Sequence, residues 1–81
     1  MTPRKILAET VIYIKNSGKA LFEMVEAEEY EDAQLLRNSV DAFLLNRAKI
    51  LSEVTTGFTS DQIYNVLQED FSDWYNKLNK K

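Results

Sequence analysis

Eighty-one residues with a formal net charge of −3 and no cysteine make one small domain, without a disulfide framework or a thiolate metal site. Histidine is absent too, which removes the commonest general base and metal ligand, and the carboxylates lack the loop spacing and central glycine of a calcium-binding loop. A chain this short buries only about 60% of the surface its unfolded form exposes, so packing against a partner or a second copy would add to a thin stability margin.

Charge is placed unevenly along the chain. Residues 1–20 carry Arg4, Lys5, Lys15 and Lys19 against Glu9, whereas residues 21–32 carry Glu23, Glu26, Glu28, Glu29, Glu31 and Asp32 with no base among them. No basic face dominates, because Lys5 and Lys15 fall about 80° apart on a helix turning ~100° per residue; generic affinity for nucleic-acid phosphates is not expected. The basic and then apolar N-terminal stretch has the outline of a signal peptide, but Glu9 and Lys15 interrupt it and no small-residue cleavage site follows. No window approaches the ~18 apolar residues of a membrane span, and the expectation is a cytosolic protein that does not insert into membranes.

Two glycines, one proline and no long polar loop give punctuation for about three helices and for no strand hairpin, so the predicted class is all-α, a three-helix arrangement in a single domain over residues 1–81. The first helix opens with Thr2 as N-cap and Pro3 at the first helical position, where a missing N–H costs nothing. Leu7, Val11, Ile14, Gly18, Leu21 and Val25 step alternately by four and three, which keeps one seam in phase straight through Gly18. The spacing predicts one long helix over residues 3–28, with Gly18 a point of close approach. The rival is a stop at Asn16-Ser17-Gly18, giving four helices.

After a tight acidic turn the second helix is predicted over residues 31–55, with Leu36, Val40, Phe43, Ile50 and Val54 on one seam and Leu44 and Leu51 widening it. Arg47 falls at the missing seam position, where its stem packs or its guanidinium faces an acid of a partner. Thr56-Gly57-Phe58 ends this helix. The third has the clearest start: Thr59 as N-cap, Gln62 as the reciprocal capping-box residue, and Phe58 and Ile63 at the hydrophobic-staple positions. Ile63, Leu67, Phe71, Trp74 and Leu78 form its apolar stripe, and Lys77, Lys80 and Lys81 suit the negative end of its dipole. Trp74 and Tyr75 are adjacent and point about 100° apart, so one neighbouring helix cannot bury both equally.

No Gly-rich phosphate loop and no activated nucleophile is present, and Glu69, Asp70 and Asp73 lie on a helix face without the burial that separates carboxyl pKa values, so no catalytic residue and no cofactor is expected. The segment Glu29 to Val40 is where a helical hairpin would reverse: Tyr30, Ala33, Leu36, Arg37 and Val40 recur there at helical spacing.

Over residues 20–55 this segment resembles the UVR motif, a helical hairpin of excision-repair proteins and protease-associated adaptors. Tyr30 and Glu31 match its aromatic-acid pair, Ala33 its first small position, Leu36 its apolar site, Arg37 its arginine and Val40 its final apolar site. Gln34 stands where a second small residue is usual and Asn38 where an acid is usual. The resemblance implies pairing of the hairpin with another hairpin, without catalysis. It does not imply DNA repair, because no nuclease, helicase or nucleotide-binding segment accompanies it.

The function expected from these features is a small non-enzymatic helical module that binds another protein as a regulator or adaptor and forms homo-oligomers. Its size and type are those of bacterial and bacteriophage accessory proteins that modulate a host process such as lysis timing or transcription, an analogy of type alone. Candidate partner-binding residues are Tyr30, Ala33, Leu36, Arg37, Val40, Arg47, Trp74 and Tyr75. The alternatives are a nucleic-acid-associated regulator using Arg4, Lys5, Lys15 and Lys19, an acidic DNA mimic with the run 23–32 as its charged surface, and a purely structural oligomer.

Overall fold

The computed structural model describes residues 2–79 as three helices, α1 (Pro3–Glu26), α2 (Tyr30–Val54) and α3 (Ser60–Asn79), with no strand among the described residues. Each helix packs on the other two. Short connections at residues 27–29 and 55–59 make the order up, down, up, so α1 and α3 run parallel and α2 opposes both. Lys80 and Lys81 lie outside the described residues.

The ends of α1 follow from identifiable local chemistry. Thr2 sits in extended backbone and its Oγ1 accepts from the Lys5 N–H at 3.2 Å, with Pro3 just inside the helix. The other end closes without glycine. Glu28 takes a left-handed φ of 60°, which lets its N–H donate to the Val25 carbonyl at 3.1 Å and the Glu29 N–H donate to the Met24 carbonyl at 2.8 Å. This is the paired closure of a Schellman motif, with Glu28 at the position that glycine usually fills. In α2, Glu31 and Asp32 lie in the first turn, where the helix dipole favours acids.

α3 starts as the capping box requires. The Gln62 N–H donates to Thr59 Oγ1 at 3.2 Å, and the Thr59 N–H donates to Gln62 Oε1 at 3.0 Å. Gly57, with φ of 89°, turns the chain between α2 and this cap.

α1 passes unbroken through Asn16-Ser17-Gly18. At Gly18 the indole of Trp74 presses on the helix so closely that a Cβ there would lie 2.6 Å from Cδ1. The Trp74 Nε1–H donates to the Lys15 carbonyl at 3.0 Å, which fixes the ring in this position.

The core differs from the seam expected on α1. Ile6, Thr10, Ile14, Ser17, Gly18 and Leu21 are buried, whereas Leu7, Val11 and Val25 are exposed. The inward face is thus rotated toward Thr10 and Ser17, because α1 must meet two neighbours and its buried centre lies between them. Thr10 tolerates full burial because its hydroxyl donates to the Ile6 carbonyl at 2.7 Å, leaving the methyl group to pack. On α2, Ala33, Val40, Leu44, Ala48 and Leu51 face inward; Leu36, Phe43 and Ile50 are half-buried and Val54 is exposed. Leu67 and Phe71 complete the core from α3.

Candidate interaction surface

The bundle is open at the end where α1 and α3 begin and α2 stops. A groove of about 770 Å³ lies there, lined mainly by the apolar side chains of Pro3, Leu7, Leu51, Phe58, Ile63, Val66 and Leu67. Helix geometry explains the opening. The α2–α3 connection at residues 55–59 leaves Phe58 at the mouth, and Thr10 draws the inward face of α1 away from Leu7. Leu7, Phe58 and Val66 are therefore 46%, 61% and 55% exposed around one depression. Phe58 and Ile63 share this lining, the region where the staple pattern places them.

Charged residues frame the groove. Arg4 lies on the α1 side and Asp70 on the α3 side. Farther along the same pair of helices a smaller cleft of about 270 Å³ is lined by Val11, Ile14, Lys15, Asp70, Asp73, Trp74 and Lys77. The Lys15 ammonium stands 5.6 Å from the Trp74 ring centroid, within cation–π reach.

Among the residues that the sequence singled out, Ala33 and Val40 lie inside the bundle and Leu36 is half-buried against it. Tyr30 stands 62% exposed beside the acidic turn. Arg37 is engaged within the chain: its Nη2 donates to Gln68 Oε1 at 3.1 Å and its guanidinium lies 5.0 Å from the Phe71 ring centroid. Gln68 Nε2 in turn donates to Asp41 Oδ1 at 2.6 Å and to the Tyr64 hydroxyl at 2.8 Å. Arg37 Nη1 is 3.0 Å from Asp41 Oδ1 yet makes no hydrogen bond there, so this contact is charge attraction between half-exposed groups and contributes little stability.

Arg47 lays its guanidinium 4.8 Å from the ring centroid of Phe43 on its own helix, and Phe43 joins α2 to α1 by stacking on Tyr13 at 3.7 Å. The Arg47 Nε is buried without a hydrogen-bond partner. Trp74 packs on α1, and Tyr75 meets Phe22 edge-on at 6.3 Å, so the two adjacent aromatics serve separate contacts on the same neighbour.

The eight candidates do not converge on one surface. Of the groove lining, Leu51, Phe58, Ile63 and Leu67 stand in the sequence patterns, but Leu7 reads there as core and Val66 belongs to no stripe; Val11, which also reads as core, borders the smaller cleft. The available signal was Val66 itself, an apolar side chain one position off the Ile63–Leu67–Phe71 stripe.

Among the described residues no three metal-ligating side chains converge on a point that could hold an ion, and no helix is long and apolar enough to cross a membrane. Comparison with protein-family models, curated proteins and solved structures gave no match, so the geometry of this surface carries the functional reading alone.

Proposed function

We propose that this chain is a non-enzymatic helical interaction module, a regulator or adaptor, and that it recognises its partner through the apolar groove at the open end of the bundle. One observation carries the reading: Leu7, Phe58 and Val66 are all exposed around a single apolar depression. Scattered exposed apolar residues are ordinary, but apolar side chains gathered around a concavity leave burial energy that a partner can recover, at roughly 25 cal/mol per Å² covered. The UVR-like segment supports the reading only in kind, as a helix-pairing device. Its inward residues are already used by α1 and α3.

A photo-crosslinking phenylalanine analogue placed at Val66 and expressed in the native host tests this. The expected result is a discrete adduct at Val66 that is absent when the same analogue replaces Leu35, which is exposed but lies away from the groove. Equal adduct formation at Val66 and Leu35 would overturn the groove assignment. An adduct only at Glu28 would transfer recognition to the acidic turn.

A further inference from the structure

The groove's own charges argue for what fills it, an inference that rests on the reading just given. α1 and α3 are parallel and level with each other, as the contacts of Lys15 with Trp74 and of Phe22 with Tyr75 show. Their shared outer face therefore has a basic rim on α1, Arg4 and Lys15, and a rim on α3 that carries the acids Asp70 and Asp73 at the level of Val11 to Lys15, with Lys77 one turn beyond them. Leu7, Val11 and Val66 lie between the rims. Among the described residues Arg4, Lys15, Asp70 and Asp73 each lack an ion-pair partner within 4.0 Å.

We propose that the face is covered by a second copy of the chain, related by a two-fold axis parallel to the helices, so that α1 of each copy lies on α3 of the other. Rotation about such an axis keeps every residue at its height along the bundle and exchanges left with right. Lys15 of each copy then meets Asp70 and Asp73 of the other, and Leu7 and Val11 meet Val66 in both halves of the contact. A two-fold axis across the helices instead stacks α1 on α1 and α3 on α3; set midway between Arg4 and Lys15 it brings base onto base, and set between Asp70 and Asp73 it brings acid onto acid. Like charges placed opposite each other disfavour that arrangement. Size is sufficient: the molecule extends 42 × 24 × 20 Å, so one long face offers an area comparable with the ~800 Å² per partner of a standard interface. The result is a four-helix contact around an apolar seam, closed and self-complementary.

The test is a charge-swap experiment on the full chain by sedimentation equilibrium, up to about 500 µM. The parent is expected to dimerise. Lys15→Glu alone, and Asp70→Lys with Asp73→Lys, should each weaken the dimer at least about tenfold with unchanged circular dichroism, because each places like charges across both halves. An equimolar mixture of the two variants should form a heterodimer of about the parent's affinity, one half carrying the native pair and the other the exchanged pair. A parent that stays monomeric throughout the range, or a mixture no tighter than either variant alone, would overturn the two-fold arrangement. If the parent is monomeric while the Val66 crosslinker captures a different protein, the groove reading stands and the second-copy proposal falls; equal capture at Val66 and Leu35 sinks the groove reading itself.

Discussion

Gly18→Ala adds one methyl group at the most crowded point between α1 and α3. In an isolated helix this change stabilises by about 1 kcal/mol, because alanine gives up less backbone freedom on folding. Here the new Cβ would stand 2.6 Å from Trp74 Cδ1 and 3.2 Å from Nε1, atoms of a rigid ring that can only move as a whole. Overpacking of this kind costs about 1–3 kcal/mol. Displacing the indole also stretches the 3.0 Å bond to the Lys15 carbonyl, a further cost of about 0.5–1.5 kcal/mol. The balance is a destabilisation of about 2 kcal/mol, equivalent to a Tm lower by about 8–16 °C in a domain of this size. Urea unfolding followed by fluorescence suits the measurement, since Trp74 is the sole tryptophan. In a Trp74→Leu background, read by circular dichroism at the same protein concentration, Gly18→Ala should become neutral or stabilising. A parent-background Gly18→Ala variant that is as stable as the parent would refute the close-contact account.

Three further perturbations probe separate parts of the fold. Thr59→Ala removes the cap that receives the Gln62 N–H and should lower unfolding free energy by about 1 kcal/mol, with no effect taken as evidence against the capping box in solution. Glu28→Gly relieves a left-handed residue and should raise stability by about 0.5–1 kcal/mol despite the extra freedom of an unfolded glycine; a loss in chemical denaturation would contradict the assigned turn. Leu44→Ala, at a site with no exposed surface, should cost about 2–5 kcal/mol, whereas Leu35→Ala should change stability by less than about 0.5 kcal/mol. Similar melting temperatures for those two variants would overturn the placement of the core.

The helices and their caps were legible because they depend on local chemistry. Thr2 before Pro3, and Thr59 before Gln62, satisfy backbone donors a few residues away, and no tertiary information is needed to see it. The passage of α1 through Gly18 was also readable, since the apolar stripe stays in phase across it. The inward face of α1 was not readable from apolar residues alone. Leu7 and Val11 form the more hydrophobic strip, yet Thr10 and Ser17 take the core because they fit between two neighbouring helices and Thr10 satisfies its hydroxyl within its own helix. That rotation is what leaves Leu7 and Val11 outside, so the misplaced seam and the unread α1 side of the groove have one cause. The closure of α1 was hidden for a different reason: its left-handed residue is a glutamate, and no side-chain type announces it.

The acidic turn between α1 and α2 has a practical consequence. Residues 25–32 are all exposed, and about 20 residues of helix separate them from Leu7, a distance of roughly 30 Å at 1.5 Å per residue. An epitope, a fluorophore or a surface tether inserted there should ride on the molecule without touching the open end, since exposed turns tolerate added chain far better than packed helices do. The molecule therefore has an attachment point remote from its proposed working surface, and immobilising it by that turn would leave the open end of the bundle facing away from the support.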